Sequence, residues 1–188
     1  MLNVRVDAPY TLFRFTADDY ERLAEGGAFS GTRVELIEGV IVRRNAMGTP
    51  HKLTLLDVTE LLREQLRRPF MVVAQLPLRL SPDSVPEPDL AVIRRPDDRH
   101  EDYTVADTSL VIEVSDATRS IDLGPKAHLY AAAGIPEYWV IDLKRDQLVV
   151  HTAPKQGRYT SVSRHGKTKT VTSVRAPRVT LKVADVLR

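Results

Sequence analysis

The chain has no cysteine and no long apolar run, and neither sign of charge dominates it. The absence of cysteine excludes disulfides and thiolate zinc sites, and it leaves oxygen and imidazole ligands that favour magnesium or manganese over zinc. No apolar stretch approaches the roughly 20 residues that span a bilayer, and the N-terminus lacks a signal-peptide pattern. We therefore expect a cytoplasmic protein with no membrane partner. The net charge of +2 permits a nucleic-acid partner without arguing for one.

The composition suits a folded protein with a sizeable core. Hydrophobic residues make up 43% of the 188 positions and charged residues 28%, which is typical of one globular domain. We therefore expect a single domain over residues 1–188. Helical and strand patterns are mixed along the chain, which predicts an α/β (α+β) fold with a mixed β-sheet flanked by helices. Thr16 and Asp19 form a capping-box pattern that opens a helix, and Thr49 and Pro50 suit the N-cap and first position of another. The predicted elements are helices at 16–25, from Thr49 onwards and at 122–133, hairpins at 34–42 and 137–152, strands at 72–80, 89–93, 109–114, 159–163 and 178–183, and a turn at 184–187.

Two of the predicted strands each carry one carboxylate. Glu113 interrupts the otherwise apolar run from Leu110 to Val114, and an unpaired charge in such an interior is strongly destabilising. Glu113 must therefore pair with a cation, bind a metal or become neutral. Asp89 stands directly before the apolar residues 90–93. From the residues alone, Asp89 could equally cap the proline turn that precedes it.

A lysine in the helix after Glu113 is the third chemical group. Lys126 falls on the same helix face as Leu123 and Tyr130, so it faces the sheet if this apolar stripe is the packing face. Two carboxylates and an ammonium near one point could bind a divalent cation, activate a water and stabilise charge on phosphorus, as phosphodiester hydrolysis requires. The alternatives are a structural ion pair between Glu113 and Lys126 and a lysine whose charged end stays in solvent.

Five strings of the sequence, taken in chain order, form a specific combination. They are VELIEG at 34–39, QLPLRL at 75–80, VPEPDLAVI at 85–93, LVIEVSD at 110–116 and DLGPKAHLYAAAGIPEYWVID at 122–142. Together with a histidine that opens the first long helix, these strings resemble the Uma-two endonuclease family of the PD-(D/E)XK nuclease superfamily over most of the chain. The resemblance implies a restriction-endonuclease-like core of four strands flanked by helices, with Asp89 and Glu113 as ligands of Mg²⁺ or Mn²⁺.

One position departs from the superfamily pattern. That pattern has a lysine two residues after the second acid, where this chain has Ser115. The resemblance implies that the lysine has moved to the helix, so that Lys126 offers its ammonium to the same site from a different element.

Two further side chains are candidate site residues. His51 lies near the start of a helix, which favours a neutral imidazole and suits contact with a metal-bound water or a phosphate. A core histidine that is hydrogen-bonded to the backbone is equally compatible with this position. Glu35 lies in the strand before the predicted hairpin turn, where the resemblance implies an acid that could add an oxygen to the metal's surroundings.

The sequence therefore predicts a divalent-metal-dependent endonuclease that hydrolyses phosphodiester bonds of DNA. Asp89 and Glu113 would hold the metal. There are two alternatives. The first is a catalytically inactive nuclease-fold protein that binds or scaffolds, and the second is a hydrolase of small phosphodiesters. The predicted catalytic residues are Asp89, Glu113, Lys126, His51 and Glu35.

The predicted partner is DNA, and a homodimer would supply the two sites that double-strand cleavage needs. Arg94, Arg95 and Arg99 form a basic cluster that could contact phosphates, although such clusters are often only solvated surface. No loop with recognisable base-reading side chains is evident, so the sequence predicts no recognition sequence.

Overall fold

A computed structural model of the protein describes residues 10–98, 100–176 and 178–187. The contacts between residues divide the chain into two compact units. The first unit comprises residues up to 46 together with 77–87, and the second comprises 47–76 together with the chain from 88 onwards. Within the described ranges, no helix has both the length and the apolar composition needed to cross a membrane. That one domain covers all 188 residues remains a prediction.

The first unit contains one helix and one hairpin. Thr16 caps the helix, since its hydroxyl accepts from the Asp19 amide while the Asp19 carboxylate accepts from the Thr16 amide, as the capping-box pattern predicts. The hairpin turns at Glu38 and Gly39, whose φ angles of 50° and 75° suit a tight two-residue turn. The elements are α1 (Ala17–Glu25), β1 (Val34–Ile37) and β2 (Val40–Arg43).

The second unit is built on a six-stranded mixed sheet. The strand order is β3-β4-β5-β6-β7-β8, in which only β5 and β6 run parallel. This agrees with the predicted fold class and is wider than the four-stranded core that the resemblance implies. The strands are β3 (Phe70–Ala74), β4 (Leu90–Arg94), β5 (Thr108–Ser115), β6 (Glu137–Asp142), β7 (Gln147–Lys155) and β8 (Arg158–Gly166). A separate antiparallel pair is formed by β9 (Thr170–Thr172) and β10 (Thr180–Lys182).

One face of this sheet is covered by helix α2 (Thr49–Gln65) and the C-terminal segment. Alternate residues of β5, including Leu110, Ile112 and Val114, pack there in one apolar cluster with α2 and with Val183. Because side chains of a strand alternate between faces, Val111, Glu113 and Ser115 point to the opposite face.

The opposite face of β5 is covered by the helical segment between β5 and β6. The sequence predicts one helix at 122–133, whereas the structure has a short α3 (Arg119–Ile121), a π-helical turn (Asp122–Lys126) and α4 (Ala127–Ala132). Pro125 lies inside the π-helical turn and has no N–H to donate to the carbonyl four residues earlier. The wider turn is the physical consequence of that missing donor.

Two other predicted boundaries shift. Gly48, not Thr49, caps α2, and Pro50 occupies the second helical position. The strand predicted at 72–80 ends at Ala74 because Gln75 has a φ of 53°, which is outside the extended range of a strand.

Candidate functional site

The pairing of β4 with β5 brings Asp89 and Glu113 together. Leu90 pairs with Ile112 in this antiparallel ladder, so the preceding Asp89 lies opposite Glu113. The Asp89 amide donates to Glu113 Oε2 at 3.3 Å, and the Val114 amide donates to Asp89 Oδ2 at 3.0 Å. The two residues are only 1% and 2% exposed. Two carboxylates thus share one buried position at the start of β4.

Lys126 and Tyr130 reach the same oxygen of Glu113. The Lys126 ammonium donates to Glu113 Oε1 at 2.9 Å, and the Tyr130 hydroxyl donates to that atom at 2.9 Å. Lys126 is 8% exposed, so it faces the sheet as its helical spacing predicts. Tyr130 was not among the predicted site residues, although its position four residues after Lys126 was the signal that places both on one helix face.

His51 approaches Asp89 from the start of α2. Its Nε2 lies 3.2 Å from Asp89 Oδ2, but the geometry is not that of a hydrogen bond, and this buried nitrogen has no other hydrogen-bond partner among the described residues. Such unpartnered buried polar atoms are uncommon in folded proteins. His51 therefore presents a ring nitrogen toward Asp89.

Ser115 occupies the position where the superfamily pattern has lysine. It lies at the end of β5 on the same face as Glu113, is fully buried, and its hydroxyl oxygen has no regular hydrogen-bond partner in the described ranges. The ammonium comes instead from Lys126, on the helical segment that covers this face. The helix thus supplies the cation that the strand lacks.

Asp122 adds a second carboxyl group near Lys126. Burial raises the pKa of Asp122, whereas the Lys126 ammonium and the hydroxyls of Thr118 and Ser115 act to lower it. Thr118 Oγ1 donates to Asp122 Oδ2 at 2.5 Å. The Tyr138 hydroxyl donates to the Asp122 carbonyl at 3.0 Å. Burial raises the pKa of Tyr138 well above its ordinary value, and the negative charge of Asp122 raises it further. This layer fixes the π-helical turn that carries Lys126.

Glu35 is placed in the first unit, where it pairs with an arginine. Its Oε1 lies 3.1 Å from Arg44 Nε, and Arg44 Nη1 lies 3.0 Å from Glu87 Oε1. Arg33 also contacts Glu87. The charge of Glu35 is thus compensated within its own unit, and its catalytic role stays a prediction.

The predicted basic cluster is only partly described. Arg94 and Arg95 are exposed, and Arg94 pairs with Phe70 at the opposite end of β4 from Asp89. Arg99 lies outside the described residues.

The residues that meet at the site have the donor types that a divalent cation requires. Among residues 10–98, 100–176 and 178–187, no group of three or more His, Cys, Asp or Glu side chains is arranged to hold a metal. Mg²⁺, however, is usually bound through one or two carboxylates together with waters and substrate phosphates. Asp89 and Glu113 supply two carboxylates, and Nε2 of His51 lies 3.2 Å from Asp89 Oδ2. The donor set therefore fits Mg²⁺ or Mn²⁺.

Comparisons with known proteins agree with the fold. A crystal structure of "a putative nuclease belonging to DUF820" from Anabaena variabilis ATCC 29413 is similar, with a TM-score of 0.71 and 16% sequence identity over 92% of this chain and 97% of that one. No functionally curated protein matches the chain. The model of the Uma2 family, described as "Putative restriction endonuclease", matches residues 17–184. The chain therefore belongs to the Uma2 family of nuclease-like proteins.

Proposed function

We propose that the protein is a Mg²⁺- or Mn²⁺-dependent endonuclease that hydrolyses phosphodiester bonds of DNA. The observation that carries the proposal is the meeting of Asp89, Glu113 and Lys126 at one buried point of the second unit. Membership of a family described as restriction endonucleases supports the choice of reaction and of DNA as substrate.

Each residue of the cluster has a role that follows from its contacts. Asp89 and Glu113 would hold the cation, and when bound the cation would supply Lewis acidity to the phosphate and lower the pKa of a water. The amides of Asp89 and Val114 fix the two carboxylates relative to each other. His51, with its ring nitrogen toward Asp89, would contact the cation's surroundings or accept a proton.

Lys126 supplies the positive charge of the site. Glu113 holds its ammonium at 2.9 Å, within reach of whatever the two carboxylates bind. There it would orient the attacking water or stabilise negative charge as it develops on the phosphate oxygens. Both roles require that the ammonium can contact the substrate during the reaction.

The remaining parts of the proposal concern the surroundings of the enzyme. DNA is the proposed partner, the exposed Arg94 and Arg95 are candidates for phosphate contacts, and the cytoplasm is the proposed compartment. A homodimer would place two such sites on the two strands of a duplex.

A second candidate function is a nuclease-fold protein that binds or scaffolds without catalysis. The observation in its favour is that both carboxylate oxygens of Glu113 already accept hydrogen bonds from the protein. In that case the pair of Glu113 and Lys126 would be a structural ion pair, and the protein would be indifferent to divalent cations.

Plasmid cleavage separates the two candidates. We expect the wild-type protein to nick or linearise supercoiled DNA in Mg²⁺ or Mn²⁺ but not in EDTA, and Asp89→Asn to lower the rate at least about a hundredfold. Asp146→Asn, which changes an exposed acid, is the matched control and should cleave normally. Cleavage that survives EDTA or Asp89→Asn would contradict the proposal.

A further inference from the structure

Glu113 Oε1 receives two donors from one turn of helix. The Lys126 ammonium and the Tyr130 hydroxyl both lie 2.9 Å from this atom, and both side chains are buried. Tyr130 is completely buried and its ring lies 5.0 Å from that of Tyr138, at an angle of 46°. The phenol hydroxyl is therefore fixed against the carboxylate by packing on a neighbouring side chain.

The proposed chemistry makes conflicting demands on Lys126. In the structure its ammonium is bound to Glu113 Oε1, whereas catalysis requires it to contact the attacking water or a phosphate oxygen. When the ammonium turns toward the substrate, Glu113 Oε1 loses a charged hydrogen bond in a buried setting. An unsatisfied buried acceptor is costly, so a second donor at this atom would lower the cost of the movement.

We infer that Tyr130 is a positioning residue that holds Glu113 in place while Lys126 exchanges Glu113 Oε1 for the substrate. The inference rests on the proposed nuclease function. In this role Tyr130 acts through Glu113, which its hydroxyl contacts. Its hydroxyl keeps Oε1 hydrogen-bonded and so keeps Oε2 on the side of Asp89, where the Asp89 amide contacts it. The ion pair between Lys126 and Glu113 is then the resting arrangement of the site.

This role differs from that of an ordinary buried tyrosine in how it depends on Lys126. A merely structural hydroxyl would affect activity by the same factor whether or not Lys126 is present. A positioning hydroxyl matters to the rate only when an ammonium has to leave Oε1. The effect on stability should run the other way. Loss of the Tyr130 hydroxyl should lower the free energy of unfolding more when Lys126 is absent, because the buried Glu113 has then already lost its ammonium.

A double-mutant cycle with Tyr130→Phe and Lys126→Met tests the inference. Cleavage of plasmid DNA is measured with DNA in excess over enzyme and Mn²⁺ saturating, Mn²⁺ affinity is measured by titration, and stability is measured by urea unfolding. Tyr159→Phe is the matched control, since it removes another tyrosine hydroxyl of the same unit, one that donates to the Ile135 carbonyl at 2.9 Å.

We expect Tyr130→Phe to lower kcat about tenfold with KM for DNA changed by less than about twofold, as for an interaction required only in the transition state. In the Lys126→Met background, the same change should alter the rate by less than about twofold, yet lower the urea midpoint by more than it does in the wild type. Tyr159→Phe should leave kcat unchanged.

The inference would be overturned if Tyr130→Phe lowered the rate by the same factor in the wild type and in Lys126→Met, or if it left kcat unchanged. The nuclease proposal would survive either result. A wild-type protein that neither binds Mn²⁺ nor cleaves DNA would overturn the nuclease proposal, and the inference with it. The two failures are therefore distinguishable in one set of measurements.

Discussion

At the scale of single residues, the buried acids of the second unit are stabilised in two different ways. Glu113 accepts from an ammonium, a phenol and an amide. Glu137 is equally buried, but it accepts from neutral donors: Trp139 Nε1, the Ser173 hydroxyl, and the amides of Val174 and Arg175. Glu137 thus ties β6 to the loop before β10, and its role is structural. A cation beside the carboxylate is what distinguishes Glu113 from Glu137.

Removing the Lys126 ammonium should destabilise the fold, because the buried Glu113 would lose its cation. We expect Lys126→Met to lower the free energy of unfolding by about 3 kcal/mol, because it leaves Glu113 without its charged partner in a low-dielectric setting. Urea unfolding at neutral pH measures this. The control is the double variant Lys126→Met with Glu113→Gln, which removes both charges and should recover part of the loss. A Lys126→Met protein as stable as the wild type would contradict the account.

At the scale of elements, sequence patterns predicted most of the helices and strands. Continuous apolar runs placed β5 and β6 close to their observed bounds, and the capping box placed α1. The strand β9 was missed, whereas β10, which is equally short, lies within the strand predicted at 178–183. The π-helical turn was missed too, although Pro125 was a visible sign of an irregular helix.

The candidate site was predictable only as far as local spacing reaches. Spacing placed Lys126 on the sheet side of its helix, and the acids stood out as charges in apolar strands. That Asp89 lies opposite Glu113 depends on the register of β4 against β5, which includes a shift between Val92 and Ile93. Register is a tertiary property, and so is the packing of the helical segment on the sheet. Spacing therefore placed Tyr130 on the same helix face as Lys126 but could not assign it to Glu113.

His151, on strand β7, should make the stability of the fold depend on pH. Burial lowers the pKa of His151 below its ordinary value of 6.5, with the nearby Arg164 acting in the same direction and a contact to the Tyr138 carbonyl opposing it. Between the lowered pKa and 6.5, the unfolded chain binds more protons than the folded one. The contribution of the neutral His151 to the free energy of unfolding is thus fully present above pH 6.5. It is lost as the pH falls through the folded-state pKa.

We therefore expect the free energy of unfolding to fall between pH 7.5 and pH 5, and His151→Gln to show a smaller fall over this range. Urea unfolding of both proteins at several pH values measures the difference between their free energies of unfolding. Groups that titrate alike in the two proteins do not affect this difference. An identical pH dependence for wild type and variant would show that His151 does not contribute.

At the scale of the whole molecule, the family and the fold agree. The site lies entirely within the second unit, on one face of its sheet, with acids from two adjacent strands and a lysine and a tyrosine from the covering helical segment. The similar solved structure shares this fold with few identical residues. Within this chain, the pairing of β4 with β5 is what brings Asp89 and Glu113 together.

Double-strand cleavage would require two copies of the site. If the protein acts as a homodimer, we expect a mass of about twice the 21.1 kDa of one chain by analytical ultracentrifugation, and linear plasmid as an early product. A mass of one chain at all concentrations, with nicked plasmid as the sole product, would contradict the dimer.

The most direct test of the central claim is calorimetric titration of Mn²⁺ into the wild-type protein, Glu113→Gln and Glu137→Gln, with folding checked by circular dichroism. We expect saturable binding by the wild type, loss of that binding in Glu113→Gln, and retained binding in Glu137→Gln, which changes another buried glutamate of the second unit. A well-folded wild type that does not bind Mn²⁺, or a Glu113→Gln protein that binds it equally well, would contradict the claim that Asp89 and Glu113 form a metal site.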